Sequence, residues 1–389
     1  MYAGIIALGL GYLLSQFYRA FLAVLTPVLQ ADLGTTAEDL ATASGMWFLA
    51  FACMQIPLGW ALDRVGPRLT SGVMVIVGAG GAAIFATATT PMAIKIAMAL
   101  IGVGCAPVLM ANYYIFARML PAAAFGTLAG VTIGVGSLGN IAASLPLTAA
   151  VDAFGWRQTV GVLAALTLAT GVAVLALVRD PPRVTDTAGG SLMDLLRMPA
   201  LWPVFAMMAA CYGPSAGLRG LWLGPWQADV FGATAVQIGT VSLVMGLAMV
   251  AGNFAYGPLD RVFGTRKWLV FGGNALVALA FLALWALPAK AGLPMLALVA
   301  AIGLFGAAFP MVMAHGRAFL PPHLMGRGVT LINLFGIGAA GLMQVATGRL
   351  HAAIPPDPAT RPYEAVFLLY AAVVVAGLIV YLWSQDRTD

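Results

Sequence analysis

Charge is scarce in this sequence. Of 389 residues, 19 are Lys or Arg and 14 are Asp or Glu, 8% in all, against roughly 25% in soluble domains. A soluble fold of this length could not cover its surface with so few charges. With 61% hydrophobic residues and a mean hydropathy of +0.96, the chain reads as an all-α integral membrane protein. Short alternating strands are lacking too. The apolar runs are continuous and about 20 residues long, which excludes a transmembrane β-barrel. Cysteine is nearly absent: Cys53, Cys105 and Cys211 lie in apolar runs without C-x-x-C spacing, so they read as small buried hydrophobes. No P-loop, Walker motif or redox-cofactor site is visible, so ATP drive is not expected, and the chain reads neither as an enzyme nor as the holder of a cofactor. The net charge of +5 sits mostly in short loops, where it orients a membrane chain and does not call for nucleic acid.

Apolar runs between charged or Pro- and Gly-containing breaks give twelve candidate spans. They lie near 3–29, 39–62, 68–88, 92–118, 125–150 and 159–178, then near 200–229, 236–258, 268–287, 295–318, 328–350 and 366–384. The first run lacks a basic leader and a small-residue cleavage site, so it is expected to be a retained helix and not a signal peptide. Residues 1–178 and 200–389 form two six-helix halves, and the polar stretch 179–199 is a cytoplasmic linker whose LMDLLRM segment suits a short helix on the membrane surface. With both termini inside, twelve Lys or Arg fall on the cytoplasmic side and five outside, while the acidic residues divide evenly. That bias places both termini in the cytoplasm of a cell with this protein in its inner membrane.

The halves repeat at an offset close to 200 residues. Gly59-Trp-Ala-Leu-Asp63-Arg64-Val-Gly66-Pro-Arg68 follows span 2, and Gly257-Pro-Leu-Asp260-Arg261-Val-Phe-Gly264-Thr-Arg266-Lys267 follows span 8. Arg118, Pro121 and Gly126 recur as Arg317, Pro321 and Gly326, and Arg19 recurs as Arg219. Repeats of this kind are a transporter signature and predict a substrate site near the midplane between the halves. The Gly59–Arg68 stretch resembles the G-x-x-x-D-R-x-G-R-R/K loop of the major facilitator superfamily, in the place that family puts it. The resemblance implies two pseudo-symmetric six-helix halves and transport by alternating access. It also implies gating roles: Asp63 and Asp260 as helix caps and partners of basic residues, Arg64, Arg68 and Arg261 toward the anionic leaflet, Arg118 and Arg317 in the matching later loops. Gly59 and Gly66 would allow close approach and a tight turn. Two family features are missing. Met98 stands where many proton-coupled members carry an Arg before Gly102-Val-Gly104, and span 5 has Gly130, Gly134, Gly136 and Gly139 but no Gly-Pro pair. Those glycines suit close helix packing.

No acidic residue and no histidine maps to the middle of a span, whereas Arg19 and Arg219 do. An arginine at that depth costs at least ~2.5 kcal/mol. Its natural counter-charge here is a substrate anion, which the planar guanidinium can grip through two parallel hydrogen bonds. Tyr12, Gln16 and Arg19 share one face of span 1 by spacing, and Tyr212, Ser215, Arg219, Trp222 and Trp226 one face of span 7. Asn112 and Tyr113 of span 4 are further candidates for the cavity. Tyr114, Asn140, Asn253, Asn333 and Gln344 suit interhelical hydrogen bonds equally well.

The opening GYLLSQFYRAFLAVLTPVL resembles that of the organophosphate/phosphate antiporter and organic-anion symporter branches of the superfamily. In the glycerol-3-phosphate antiporter group one Arg of span 1 and one of span 7 bind phosphate, which Arg19 and Arg219 match. That group's Lys beside the first Arg is Ala20 here, and its span 5 histidine is absent. The expectation is therefore a secondary transporter of a small anion, clamped by Arg19 and Arg219, working as a monomer in the bilayer. Its coupling partner is a counter-anion or a proton carried by the substrate or by His315. Other readings stay open: export of drugs, siderophores or other amphiphiles, a membrane assembly factor or receptor on the same scaffold, and copper import through the Met245-x-x-x-Met249 pair, which packing explains better. Lys95, near a helix end, reads as snorkelling to the interface.

Overall fold

The computed structural model describes residues 2–119, 122–182, 192–289, 291–321 and 324–387. Every regular element among them is helical. Two compact units emerge, Met1–Thr187 and Ala188–Asp389. Residues 183–191 of the expected linker, with Pro121 and His323, lie outside the described residues; Leu192–Leu196 forms a one-turn helix where LMDLLRM was expected to be helical.

The first unit holds span 1 (Tyr2–Leu33), span 2 (Ala37–Arg64), span 3 (Pro67–Ala86), span 4 (Pro91–Cys105 continued by Pro107–Met119), span 5 (Ala122–Ala142 continued by Leu145–Phe154) and span 6 (Trp156–Leu177). The second holds span 7 (Trp202–Gly217, Leu218–Trp222 and Leu223–Phe231), span 8 (Ala235–Phe263), span 9 (Lys267–Ala286), span 10 (Leu293–Gly306 and Phe309–Arg317), span 11 (Met325–Ala352) and span 12 (Arg361–Tyr381). Ten of these are unbroken, or nearly so, and long and apolar enough to cross a membrane; Val131–Ala142 with Leu145–Phe154, bent by 45°, makes an eleventh. Span 7 is a continuous run of helix from Trp202 to Phe231 that passes through a π turn at Leu218–Trp222.

Proline marks two of the helix interruptions, while Pro27, Pro57 and Pro214 lie inside unbroken helices. Pro107 lacks the amide that would continue the ladder, so span 4 interrupts at Ala106, whose amide reaches back only to Val103. Pro310 marks the matching interruption of span 10. Starts are set by caps. Thr36 and Asp39 form a reciprocal capping box at span 2, with Thr36 Oγ1 accepting from the Asp39 amide at 3.1 Å. Thr90 caps span 4, with Pro91 at its first position.

Small residues set the distance between helices, as the span 5 glycines led one to expect, and Gly102 of span 4 does the same. A methyl at Gly139 would overlap the Leu13 carbonyl of span 1, and one at Gly102 the Trp47 carbonyl of span 2. Two minor expectations change. Lys95 does not snorkel; its Nζ donates to Asp39 Oδ1 at 2.7 Å, joining spans 2 and 4. Cys105 and Cys211 are buried, as expected, but Cys53 on span 2 is exposed.

Candidate functional site

In the first unit the polar face of span 1 divides between neighbours. Gln16 Nε2 donates to the Tyr12 hydroxyl at 2.6 Å, and the Tyr12 ring lies against Gly136 of span 5, where no larger residue would fit. Tyr113 of span 4 is close enough to Tyr12 to interact with it electrostatically, and its ring lies 6.4 Å from Phe116. Arg19 turns to span 2. Its guanidinium lies 5.0 Å from the ring centroids of both Trp47 and Phe51, which stack on one another at 5.3 Å. A cation held on two aromatic faces inside the bundle gains about 0.5–2 kcal/mol per face. Asn112 is fully buried, and neither side-chain amide atom has a hydrogen-bond partner among the described residues. Such a group costs stability unless something satisfies it. A cavity of about 10 Å³ between Gly11, Tyr18, Cys105 and Thr167 has room for one water at most.

In the second unit the expected single face of span 7 does not exist. Tyr212 meets Phe309 at 4.9 Å, and Ser215 lies against Gly306, so both turn to span 10. Arg219, only 5% exposed, turns to span 8, where Nη1 donates to Met249 Sδ at 2.7 Å. Trp222 is fully buried, donates Nε1–H to Thr347 Oγ1 at 2.9 Å and stacks on His351, packed by spans 11 and 12 instead of lining a cavity. Trp226 is likewise buried and donates to the Pro288 carbonyl at 3.1 Å. The π turn at Leu218–Trp222 is the cause. Its i→i+5 bonding adds a residue to one turn, so positions spaced for an α-helix fall out of line across it. Such turns are frequent at functional sites, and this one contains Arg219.

Met249 thereby loses its place in a copper pair, since its sulfur accepts from a cation and Met245 is buried in packing. Among the described residues no group of three His, Cys, Asp or Glu side chains could hold a metal. His315 is engaged at both nitrogens, Nδ1 with the Tyr381 hydroxyl at 2.5 Å and Nε2 with the Gln385 carbonyl at 2.8 Å.

The loop motif works differently from the expectation. Gly66 has φ +102°, and a Cβ there would lie 2.7 Å from the Asp180 carboxylate, so the turn requires glycine. Gly59 faces open space and has no close neighbour to accommodate. Arg68 does not reach for the leaflet: its amide donates to Asp180 Oδ1 at 2.8 Å and its Nε to the Leu175 carbonyl at 2.6 Å, at the end of span 6. The second unit repeats this. Lys267 donates its amide to Asp386 Oδ1 at 3.0 Å and its Nζ to the Leu382 and Ser384 carbonyls at 2.8 and 2.7 Å, beyond span 12. Burial pushes the Asp386 carboxyl up, but the Thr265 hydroxyl and the Lys267 and Arg266 amides outweigh it and hold it below the usual carboxylate range. Arg64 and Arg317 are exposed, and Arg118 lies 5.1 Å over the Tyr114 ring. The side chains of Asp63, Asp260 and Arg261 lie outside the described residues. Asp180 and Asp386 escaped the sequence reading, although the repeat, followed past span 6 and span 12, points to them. Trp47 and Phe51 escaped it because nothing in the spacing says which aromatic faces Arg19.

The sequence profile of the Major Facilitator Superfamily matches residues 8–223 and 207–389. A protein of Cupriavidus necator named as a sulfoacetate transporter is 22% identical, over 65% of this chain and 63% of its own length. One of Agrobacterium vitis named as a tartrate transporter is 25% identical over 64% of this chain and 63% of its own. One of Oryza sativa subsp. japonica named as a high-affinity nitrate transporter is 28% identical over 44% of this chain and 37% of its own. The chain thus spans less than two thirds of the length of these relatives. Among solved structures, a D-xylose–proton symporter superposes with a TM-score of 0.76 at 14% identity, over 99% of this chain and 98% of that one. A bacterial homologue of the human lysosomal transporter Spinster gives 0.72 at 17% identity, over 97% and 95%. At these identities the likeness is one of fold.

Proposed function

The chain belongs to the Major Facilitator Superfamily, and from there we propose that it is a secondary transporter of a small anion, working by alternating access, with Arg19 and Arg219 as the groups that bind the anion. The observation that carries this reading is the pair of arginines itself. Each unit holds one within its spans, at matching places in the repeat, and each lies against soft surfaces: two aromatic rings for Arg19, a thioether for Arg219. Aromatic faces and sulfur stabilise a guanidinium without neutralising it. An anion can take the bidentate hydrogen bonds that aromatic faces and sulfur cannot. Three relatives named for sulfoacetate, tartrate and nitrate have anions as substrates by name, in line with this reading. Tyr12, Gln16, Asn112 and Tyr113 are proposed as the polar groups that meet the rest of the solute. Basic residues bias the loops so that both termini face the cytoplasm of an inner membrane, and a monomer suffices for the cycle.

The test is uptake of labelled tartrate, sulfoacetate and nitrate by the full chain in proteoliposomes. Arg19→Gln and Arg219→Gln are each expected to cut uptake of the transported anion by at least about tenfold, since a charged hydrogen bond contributes about 1.5–3 kcal/mol. Unchanged uptake in both variants would overturn the reading.

A further inference from the structure

Spans 7 and 11 end, and span 12 begins, at a cluster of titratable groups that the anion site does not use. The imidazole of His351, in the last turn of span 11, lies nearly flat on the indole of Trp222, with centroids 4.8 Å apart and planes at 29°. It also meets the edge of the Tyr363 ring at 4.8 Å and 66°. The Tyr363 hydroxyl donates to Asp229 Oδ2, at the end of span 7. The Nε2 atom of His351 is buried and has no hydrogen-bond partner among the described residues. His315 differs: its hydroxyl and carbonyl partners occupy both nitrogens of a neutral ring.

This arrangement suits an added proton. A proton on Nε2 would place an imidazolium on the face of Trp222, the ring type that binds cations best, and opposite the Asp229 carboxylate, which Tyr363 holds in place. The other charged groups of these elements are Arg219 on span 7, Arg327 and Arg349 on span 11, Arg361 and Glu364 on span 12 and Asp357 in the loop between them. Arg349, Arg361 and Asp357 are exposed, and Glu364 is occupied by the Thr360 hydroxyl at 2.8 Å. Trp222 carries the event inward. Its Nε1–H is fixed on Thr347, and it closes the same π turn that contains Arg219.

We propose that His351, backed by Asp229 through Tyr363, is a proton-binding site that raises the anion affinity of Arg219, so that proton and anion bind together and are transported in the same direction. The coupling rests on the anion reading above; the proton site does not. Linkage then requires that the anion raise proton affinity by the same factor.

Two measurements on the full chain in nanodiscs separate these parts. A protonated imidazole stacked on indole quenches its fluorescence, so tryptophan emission should fall as pH is lowered from neutral into the acid range. The fall should vanish in His351→Gln and in Trp222→Phe, and in Asp229→Asn it should move to lower pH. Second, tartrate, nitrate and sulfoacetate are titrated by thermal shift at both ends of that range. The bound anion should gain at least about fivefold in affinity at the acid end, and the gain should be absent in His351→Gln. An unaltered quench in His351→Gln refutes the proton site. An unaltered affinity gain refutes the coupling. If no anion binds at any pH, the anion reading and the coupling both fail, and the quench alone upholds or refutes the proton site. Should His351→Gln not fold, an unshifted quench in Asp229→Asn refutes the pairing of the imidazole with that carboxylate.

Discussion

The Asp180 carboxylate accepts a hydrogen bond from the Arg68 backbone amide at 2.8 Å, while the Arg68 side chain donates to the Leu175 carbonyl at 2.6 Å. The start of span 3 therefore receives an anion, and the end of span 6 receives a cation. Both exchanges satisfy orphan backbone groups and both follow the helix dipole. Asp386 and Lys267 repeat the exchange between spans 9 and 12. Each unit thus ties its third helix to its sixth with one acidic and one basic residue.

Asp180→Asn and Asp386→Asn are expected to destabilise the protein by about 1 kcal/mol each, the size of a lost charged helix cap. Thermal unfolding in detergent or nanodiscs measures this. The amide can still accept a hydrogen bond but carries no charge, so a change to Ala should cost more at each site. Equal melting temperatures for the unmutated chain and both Asn variants would show that these carboxylates only decorate the loops.

Asp386 also gives a pH dependence with a definite sign. Its carboxyl is held below the usual range, so it binds a proton less readily folded than unfolded. Its stabilisation is complete above the unfolded carboxylate value of about 3.9, and it disappears as pH falls through the lower native value. An acid titration of unfolding should therefore show less loss of stability in Asp386→Asn than in the unmutated chain, with the difference confined to the acid side. Thr265→Val, which removes the hydroxyl bond at 2.5 Å, should shift the same step toward the ordinary carboxylate range.

Glycine substitutions separate packing from motif. Gly102→Ala pushes a methyl into the Trp47 carbonyl and Gly139→Ala one into the Leu13 carbonyl. Backbone cannot step aside as a side chain can, so each should cost about 1–3 kcal/mol. Gly66→Ala should be costly as well, because φ is +102° and Asp180 fills the space. Gly59→Ala meets nothing within 4 Å and should leave the melting temperature unchanged or slightly higher, since alanine favours a helix. A large loss at Gly59 would mean that this motif position makes a contact which this conformation does not display.

What the sequence disclosed and what it withheld follow from the range of the forces involved. Spans and the repeat are local or periodic, so the twelve apolar runs and the pairing of Arg19 with Arg219 are legible along the chain. Partner choice is not local. Lys95 read as snorkelling because its partner Asp39 lies on another helix, and Arg68 read as facing lipid because Leu175 and Asp180 lie more than a hundred residues away. The face of span 7 was misjudged for a different reason. Its residues were projected on an α-helix, and a π turn around Arg219 displaced Trp222 toward His351 and Thr347. Among the candidate residues, the position of Arg219 in the chain was readable but its neighbour Met249 was not.

The aromatic pair under Arg19 allows the sharpest test of the proposed anion site. Trp47 and Phe51 each lie 5.0 Å from the guanidinium. If their faces orient the cation toward a bound anion, removing one face loses about 0.5–2 kcal/mol. At 1.4 kcal/mol per tenfold, anion affinity should fall roughly 2- to 30-fold in Trp47→Leu, read by thermal shift or by uptake. Lost packing alone could lower stability in that variant, so Trp47→Phe is the informative partner: it also loses volume but keeps an aromatic face. Affinity should therefore recover in Trp47→Phe even where its melting temperature stays low. Arg19→Lys keeps the charge but not the planar fork, and it should bind the anion more weakly than either Trp47 variant. Equal affinities in Trp47→Leu and Trp47→Phe would mean that the indole face does not position Arg19, and that Trp47 serves only the packing of span 2 against Gly102.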